Sequence, residues 1–461
     1  MAKRRIACVG MGQRFESFYM PALVEEFADT WEVVGFCDNN EGRLRLRAGW
    51  ARQRGIEVRT YLDTEFDRMI AETQPDVVLV ASKDCTHDQY ICRAMELGCD
   101  VITEKPMTMD EHKCQRIVDT QKTTGRQCTV TFNYRYSPPR TQVKDLLMSG
   151  VIGNVVSVDF HWLLDTNHGA DYFRRWHRQK RNSGGLQVHK ATHHFDMMNW
   201  WLSTVPETVY ATGAHNFYGP GMAERYGLTR RGERCLGCPE EAACPFFQDI
   251  RRYPDLVETF LENEQYDGYL RDSCVFSAEI DIEDTLHAVV NYRNGVAMSY
   301  SLHAFMPWEG YVVAFNGSQG RLEHVCQETV YFSGDGTVPG ELVPEGTSIK
   351  VFPHFRSGYE VELWRGEGGH GGGDPVMARD LFGERSPMDR YRRAADYRGG
   401  AWSILTGVAA NRSMEWGRPV RIDELVHGLA EPDYPPMPEP GEPIDPRPLK
   451  QSQAKVTSSE E

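Results

Sequence analysis

Short apolar runs alternate with longer amphipathic segments along the first third of the chain. The apolar runs lie at 5–10, 31–37, 76–81, 100–103 and 128–133, and helical spacing fills 18–28, 40–54, 63–73, 86–98 and 110–124. Strands that are apolar throughout are typical of a parallel sheet that helices cover on both faces. We therefore predict an α/β domain with a doubly wound parallel sheet over residues 1–135.

The pattern changes after a further helix predicted at 138–149. Alternating strand candidates lie at 155–164, 207–213, 285–292 and 295–303, and the turn Arg293-Asn294-Gly295 joins the last two as a hairpin. Two more, 311–316 and 321–324, flank a glycine turn, and helices are predicted at 190–202, 374–384 and 396–415. We predict an α+β domain over 136–430 with a mostly antiparallel open sheet. Residues 431–461, rich in proline and charge, are predicted to wrap a neighbour or stay disordered.

Composition narrows the range of partners. A length of 461 residues exceeds one ordinary core, and an apolar fraction of 40% suffices for packed domains. A formal net charge of -15 argues against nucleic acid or an anionic membrane as a partner. No apolar run reaches the roughly 18 residues of a membrane span. The N-terminus enters a strand without a signal-peptide pattern, so we predict a cytoplasmic protein.

A glycine-containing turn, Gly10-Met11-Gly12-Gln13-Arg14, follows the first predicted strand. Its glycines would allow a sharp turn and let the backbone approach a pyrophosphate at a helix N-terminus. Asp38 ends the second strand, where a carboxylate binds the adenosine ribose and repels a 2′-phosphate, which favours NAD over NADP. Phe15 replaces a third small residue, so we expect looser packing and a contact from Arg14 to the phosphates. The alternative is a plain strand-to-helix turn with an unrelated aspartate.

A lysine and a histidine cluster supply candidate chemistry for hydride transfer. Lys105 follows an apolar strand in Thr103-Glu104-Lys105-Pro106, and the cluster is His189-Lys190-Ala191-Thr192-His193-His194-Phe195-Asp196. A lysine can polarise a hydroxyl, and a histidine with a pKa near 6.5 can remove its proton. The alternatives are a surface lysine and a core histidine. His194 is predicted to be structural, because adjacent helical residues point about 100° apart.

The chain resembles the Gfo/Idh/MocA oxidoreductases, which act mainly on sugars and cyclitols. The matching elements, ordered as in that family across about residues 5–325, are Gly10/Gly12, Asp38, Glu104-Lys105-Pro106, Asn133-Tyr134-Arg135, Ser183-Gly184-Gly185 and His193-x-x-Asp196. The resemblance implies an N-terminal Rossmann domain that binds NAD, a C-terminal open sheet and an active site in the cleft between them. It also implies a homo-oligomer.

The resemblance further implies roles for individual residues. Lys105 would hold the reacting hydroxyl beside the nicotinamide, and His193 would be the general base. His189 stands where the family commonly has an aspartate, so it either helps to bind substrate or changes the proton path. Further cleft candidates are Thr86, His87 and Glu104 toward the cofactor, and Tyr134, Arg135, Trp176, Lys190 and His370 toward the substrate. A core tryptophan, an exposed helix lysine and a flexible linker are the alternatives for Trp176, Lys190 and His370.

Four cysteines have metal-ligand spacing within and just after a polar insertion at about 214–272. They are Cys235, Cys238, Cys244 and Cys274. Four thiolates would close a tetrahedral structural zinc site that compensates for the insertion's small core. An iron–sulfur cluster has similar ligands, and unligated thiols or a disulfide are the alternatives. We interpret the cysteines in the first third of the chain as small buried apolar residues.

Three functions are consistent with these motifs. The first is NAD-dependent oxidation of a hydroxyl on a carbohydrate, glycoside or cyclitol. The second is redox-neutral glycoside cleavage, in which tightly bound NAD oxidises the substrate, the aglycone is eliminated or hydrolysed, and the hydride returns. The third is a regulator that binds NAD or a sugar without catalysis, against which intact Lys105 and His193 argue.

Overall fold

The computed structural model describes residues 2–330, 346–383 and 389–439. The first sheet has seven strands in the described part of the chain, and six of them are parallel in the spatial order 6-5-4-1-2-3, which is the doubly wound order. They are β1 (Arg4–Val9), β2 (Trp31–Asp38), β3 (Arg59–Leu62), β4 (Val77–Val80), β5 (Asp100–Thr103) and β6 (Cys128–Val130). The prediction of a parallel sheet is confirmed.

Helices cover both faces of this sheet. Four are regular, namely α1 (Glu41–Arg52), α2 (Phe66–Thr73), α3 (His87–Glu96) and α4 (Glu111–Thr124). The connection from β1 to β2 instead contains two π-helical segments, Phe15–Tyr19 and Ala22–Glu26. The apolar strands are buried as the pattern predicted, and all four residues of β4 are at most 2% exposed. Because β1, β4 and β5 are parallel, their carboxyl ends lie at one edge of the sheet.

The second sheet has nine strands and is mostly antiparallel, as predicted, with one parallel pair, β7–β10. Its order is 14-13-12-11-7-10-9-8-16, and Gly295 turns the predicted hairpin between β9 and β10 with φ +86°. The strands are β7 (Val155–Asp165), β8 (Pro206–Ala214), β9 (Thr285–Tyr292), β10 (Ala297–Met306), β11 (Trp308–Gly317), β12 (Gly320–Val330), β13 (Ser348–Pro353), β14 (Tyr359–Glu360) and β16 (Val420–Arg421).

Helices of the second half lie between the two sheets and on one face of the second. The longer ones are α5 (Pro138–Met148), α6 (Thr166–Arg174), α9 (Ala191–Leu202), α13 (Gly369–Phe382) and α14 (Tyr397–Trp416), and the short α7 (Lys180–Ser183) and α8 (Leu186–His189) precede α9. Every residue of α9 is buried. Before α14, β15 (Ala395–Asp396) pairs antiparallel with β6, so the chain returns to the first sheet.

The insertion at 214–272 packs on the first domain. It contains only short helices, α10 (Pro220–Arg225), α11 (Pro254–Thr259) and α12 (Glu264–Asp267). The Asn40 side chain donates to the carbonyl of Asn263 at 2.9 Å, and Arg47 donates to the hydroxyl of Thr259 at 2.8 Å. These contacts place the insertion beside α1, close to the glycine turn.

The start of the predicted tail packs on its own chain. Ser203 donates to the carbonyl of Pro435 at 2.6 Å, and Asn154 donates to the carbonyl of Glu439 at 3.3 Å. Residues 431–439 are thus ordered against this chain rather than wrapped on a neighbour or disordered, because their carbonyls meet side-chain donors. Residues 440–461 of that prediction lie outside the described residues. Within the described ranges, no helix has the length and apolar character needed to cross a membrane.

Candidate active site

One cavity of about 360 Å³ runs between the carboxyl edge of the first sheet and the second domain. Gly10, Gly12 and Asp38 line it at one end, and Lys105 and His193 line it at the other. Among the residues predicted from the sequence, Gln13, Arg14, Thr86, His87, Glu104, Tyr134, Trp176, His189, Lys190 and His370 also line it. Most of the predicted site therefore converges on a single space of ordinary ligand-pocket size.

The glycine turn leaves its backbone open to a ligand. Gly10 has φ +89°, and a Cβ there would lie 2.5 Å from the backbone of Ala81 and Ser82. A Cβ on Gly12 would meet nothing within 4 Å, so a phosphate has room to approach. Phe15 does not loosen this turn, because it is 1% exposed and packs edge-on against Phe36 at 5.4 Å. The turn and the cavity fit a dinucleotide.

Asp38 lies at the end of β2 with a carboxylate that its own chain already engages. It accepts hydrogen bonds from the backbone N–H of Met11 at 2.6 Å and of Asn40 at 2.8 Å. The Arg43 guanidinium lies 3.0 Å from Asp38 and 2.6 Å from Asp267 of the insertion. A cation thus stands beside the expected ribose site, held between two carboxylates.

Arg14 is not free to contact phosphates, contrary to the prediction. It forms salt bridges with Glu104 at 2.8 Å and with Asp374 at 3.1 Å. Glu104 also accepts hydrogen bonds from Tyr19 at 2.8 Å and from the Lys105 N–H at 3.0 Å. Burial raises the pKa of Glu104, but Arg14, together with Lys105 and Tyr19, offsets this and leaves the pKa lowered. Both side chains line the cavity and brace it.

Thr86 and His87 hold the loop after β4. The Thr86 hydroxyl donates to the carbonyl of Lys83 at 2.8 Å. The His87 ring nitrogens lie 2.8 Å from the carbonyl of Pro106 and 3.0 Å from that of Ser82, so the ring ties the loops after β4 and β5 together. Both side chains line the cavity, but these hydrogen bonds are made to backbone carbonyls of this chain.

Lys105 is half-buried and lines the cavity. Among the described residues the ammonium has no hydrogen-bond partner, although Glu104 and Asp84 act on its charge. Burial lowers the pKa of Lys105 to about 8, against the opposing effect of Glu104. An unpartnered donor of this kind is available to a substrate oxygen.

His193 is stacked on Tyr134, with ring centroids 4.2 Å apart and planes inclined by 12°. Its Nδ1 is buried without a partner, and its Nε2 has no hydrogen bond within the described ranges. Burial lowers the pKa of His193 well below 6.5, so the ring is neutral and accepts protons. His194 points elsewhere and lies 2.8 Å from the Tyr300 hydroxyl, in the core, as predicted.

His189 is paired with a residue that the sequence analysis missed. Its Nδ1 lies 2.5 Å from a carboxylate oxygen of Asp84. Asp84 follows β4 by four residues, in the loop that led to Thr86 and His87, so its position at a strand's carboxyl end could have identified it. An aspartate therefore does reach this part of the site, from the other domain.

Lys190 is buried, not exposed on a helix surface. Its ammonium lies 4.6 Å from the centroid of the Trp162 ring, 3.6 Å from Glu309 and 3.4 Å from the Tyr134 hydroxyl. Its side chain is 4% exposed. With Lys105 it places a second cation at the substrate end of the cavity.

Arg135 was predicted to contact substrate, and the structure contradicts this. Its guanidinium makes two hydrogen bonds, of 2.7 and 2.5 Å, to Asp196, and both side chains are at most 2% exposed. Burial raises the pKa of Asp196 to about 6, against the opposing effect of Arg135. Because each group is the other's charge partner, the pair joins the loop after β6 to α9 and does not line the cavity.

Two further segments line the cavity near Lys105 and His193. Trp176 stacks on His177 with centroids 3.6 Å apart and lies beside the cavity. The glycine-rich run brings in His370, whose φ is +54° and whose Nδ1 lies 2.9 Å from Asp374. Asp374 also accepts from Asn133 at 2.8 Å, so this loop is tied to the first domain.

The four cysteines of the insertion share a separate cavity of about 20 Å³. All four are free thiols, and Arg174 donates to the Cys235 sulfur at 3.1 Å. Across the described ranges, no three histidine, cysteine or acidic side chains are grouped so that they could hold a metal ion. The cysteines converge, but the predicted zinc site gains no support from this arrangement.

Two family models match the chain. One, described as the oxidoreductase family's NAD-binding Rossmann fold, matches residues 4–132, and the other, described as its C-terminal alpha/beta domain, matches residues 144–422. These ranges contain both sheets and most of the residues that line the cavity. The protein belongs to the Gfo/Idh/MocA oxidoreductase family.

Several relatives are similar to this chain in sequence. YteT of Bacillus subtilis (strain 168), which carries an oxidoreductase name, is 37% identical over 434 residues, 92% of this chain and 98% of that protein. D-glucoside 3-dehydrogenase of Escherichia coli (strain K12) is 26% identical over 223 residues, 48% of this chain and 60% of that protein. Glycosyl hydrolase family 109 protein 1 of Akkermansia muciniphila is 26% identical over 197 residues, 41% of this chain and 40% of that protein.

A solved structure of levoglucosan dehydrogenase, in complex with NADH and L-sorbose, has a similar fold. Its TM-score is 0.63 at 17% sequence identity, and the alignment covers 92% of this chain and 99% of that one. At this identity the likeness is one of fold.

Proposed function

We propose that the protein oxidises a hydroxyl of a carbohydrate, glycoside or cyclitol, with NAD as the hydride acceptor. The observation that carries the proposal is the single cavity that joins the open Gly10–Gly12 turn to the unpartnered Lys105 ammonium and the buried histidines. Relatives named as a D-glucoside 3-dehydrogenase and an inositol 2-dehydrogenase support the substrate class. The division into a cofactor domain, 1–135, and a substrate domain, 136–430, is part of the same proposal.

The residues divide the chemistry between them. NAD, when bound, supplies the acceptor for the hydride that leaves the carbinol carbon. Lys105 donates a hydrogen bond to the substrate oxygen and stabilises the negative charge that develops there. A neutral imidazole removes the hydroxyl proton, a role that the family pattern gives to His193 and for which His189 lies in the same cavity. Tyr134, Trp176, Lys190 and His370 would bind the rest of the sugar.

Incubation of the purified protein with a panel of sugars, cyclitols and glycosides tests this function. With NAD present, we expect NADH to accumulate with at least one member, and Lys105→Ala to abolish that turnover while NAD still binds. No NADH with any member, together with release of an aglycone from a glycoside, would replace the dehydrogenase proposal with the second function.

Redox-neutral glycoside cleavage is the second candidate. It needs more than one acid–base group, and the cavity contains His177, His189 and His193, all buried. A relative bears the name of a glycosyl hydrolase family, although the match spans less than half of either chain. Cleavage without added cofactor, with no net NADH, is the outcome that favours it.

Zinc binding by Cys235, Cys238, Cys244 and Cys274 stays a prediction. If it holds, metal analysis of the purified protein will find about one zinc per chain, and Cys238→Ser will remove it. Metal-free protein with an unchanged melting temperature would show that the four thiols pack without a ligand.

A further inference from the structure

Asp84 and His189 come from elements that meet across the cleft. Asp84 begins the short 3₁₀ turn that follows β4, and His189 is the last residue of α8. Since β4 and β5 are neighbours, Asp84 and Lys105 lie on adjacent loops at the same sheet edge. Asp84 is 3% exposed and His189 is 8% exposed, so their contact is shielded from water.

The pair leaves one ring nitrogen directed at the cavity. Nδ1 of His189 lies 2.5 Å from Asp84, and Nε2 has no hydrogen bond within the described part of the chain. His189 lines the cavity, so Nε2 is the nitrogen that a substrate can reach. His193 differs, because neither of its nitrogens has a partner to fix the tautomer. An imidazole is best prepared as a base when the other nitrogen is held by a carboxylate.

Neighbouring side chains immobilise the His189 ring. Its centroid lies 4.1 Å from that of His177 and 5.9 Å from that of Trp176, and Tyr172 lies at 5.5 Å. A hydrogen bond between the Asp84 oxygen and Nδ1, 2.5 Å apart, requires one proton that the two atoms share. Whichever of the two atoms carries it, Nε2 is the site at which the pair gains or loses a further proton.

Burial raises the pKa of Asp84 and so opposes a negative charge on the pair, whereas the cations around the pair favour its proton-accepting form. With Nε2 unprotonated the pair carries one negative charge, and the cations Lys105, Arg175 and Lys190 act on it. Glu104 opposes the effect of these cations. The other titratable groups that face the Asp84–His189 pair are His87, His177 and Tyr172. Among these cations Lys105 has the largest effect on both groups, and it is also the group proposed to bind the substrate oxygen.

We infer that His189, positioned by Asp84, is the catalytic base of this site, and that His193 binds substrate beside Tyr134. The inference rests on the proposed function and deepens it. In the step concerned, the O–H bond of the substrate breaks and an N–H bond forms at Nε2. The Asp84 carboxylate balances the resulting imidazolium, while the Lys105 ammonium stabilises the substrate oxygen.

Variants of both histidines separate the two assignments. His189→Gln and Asp84→Asn are each expected to lower kcat by roughly two to four orders of magnitude, the usual range for a general base. The double variant should lose no more than His189→Gln alone, because Asp84 acts through that ring. His193→Gln, the matched control, should raise KM more than it lowers kcat. A larger kcat loss in His193→Gln than in His189→Gln would overturn the inference.

A second readout does not depend on turnover. In protein with ¹⁵N-labelled histidine, assigned by comparison with His189→Gln, we expect Nε2 of His189 to titrate at a lower pH in Asp84→Asn than in the wild type. His193→Gln should leave that titration in place. An unchanged midpoint in Asp84→Asn would refute the positioning role of Asp84. If the midpoint shifts as expected but no compound of the panel is turned over, the proposed function alone is refuted.

Discussion

We expect Lys105 to make the proposed activity sensitive to alkaline pH. Its ammonium is the form that donates to a substrate oxygen, and burial lowers its pKa to about 8. The protonated form therefore dominates below that pH and is lost above it. We predict that kcat/KM for oxidation falls as the pH rises through about 8, measured with a saturating concentration of NAD.

Arginine at the same position is the matched control for this pH dependence. An arginine stays protonated across the accessible range, so in Lys105→Arg the alkaline decline should disappear, even at a reduced rate. A decline that stays at the same pH in the variant would belong to another group. The buried histidines do not produce it, because their pKa values are lowered by burial and they are already neutral there.

Arg135 and Asp196 illustrate a residue pair whose role is structural. Each is the other's charge partner in a site that water does not reach. Removal of one partner leaves an uncompensated buried charge, which costs about 3–5 kcal/mol. We predict a loss of that size in the unfolding free energy of Asp196→Asn, measured by urea denaturation.

A surface ion pair provides the contrast for that measurement. Arg52 and Glu57 lie 3.0 Å apart with side chains that are mostly exposed. Such pairs contribute little in water, so Glu57→Gln should leave the urea midpoint in place. If Asp196→Asn unfolds like Glu57→Gln, the Arg135 charge must be neutralised by another group.

The sequence identified residues better than it identified their partners. Lys105, His193 and the glycine turn follow from local patterns, since each lies at the end of a strand or on a helix that its own periodicity predicts. The partners Asp84 of His189 and Asp374 of Arg14 are 105 and 360 positions away. Which of several carboxylates meets a given base depends on how the two domains pack, and no local periodicity encodes that.

For helices and strands too, the sequence predicted what local patterns encode and missed what depends on packing. Fully apolar strands predicted the parallel sheet, and alternation predicted the second sheet with its hairpin. The π-helical segments after β1 were not predicted, because a helical pattern does not specify which hydrogen-bond spacing will accommodate Phe15. The insertion was predicted as a polar loop, and its docking on α1 depends on hydrogen bonds to Asn263 and Thr259 rather than on an apolar stripe.

The insertion also bears on the choice of cofactor. Arg43 is held between Asp38 at the end of β2 and Asp267 of α12. In Asp38→Ala the repulsion of a 2′-phosphate is lost while the guanidinium remains nearby. We predict that the ratio of NADP to NAD affinity rises by roughly tenfold, about 1.4 kcal/mol, as measured by calorimetry.

Asp267→Asn is the companion variant for this test. It removes the other carboxylate from Arg43 and leaves Asp38 to face the ribose, so the preference for NAD should persist. If both variants shift the ratio equally, Arg43 alone sets the preference and Asp38 does not contact the ribose. An unaltered ratio in Asp38→Ala would place the ribose elsewhere.

At the scale of the molecule, the cavity depends on three parts of the chain. The first sheet supplies Lys105 and Asp84, the α8–α9 region supplies the histidines, and the glycine-rich loop supplies His370. Asp374 ties that loop to Arg14 and Asn133 of the first domain. Contacts between distant segments therefore close this end of the cavity, so the proposed chemistry would require both domains.

The second sheet has an open face that exposes apolar side chains. Tyr210 of β8 and Val289 of β9 are directly opposed, and they are 44% and 48% exposed. Helices cover only the other face, so apolar side chains on adjacent strands remain in water. We predict a homo-oligomer through this face, and light scattering of the purified protein should give a mass of at least twice 52.6 kDa.

A charge introduced on the open face of the second sheet tests whether the chains associate through that face or through another surface. Val289→Lys in both copies of a symmetric contact would bring like charges together, so the mass should fall toward that of one chain. Leu62→Lys, at a 39% exposed position of the first domain, should leave the mass unaltered. If Leu62→Lys dissociates the assembly and Val289→Lys does not, the contact is made by the first domain, and the exposed face of the second sheet is only solvated.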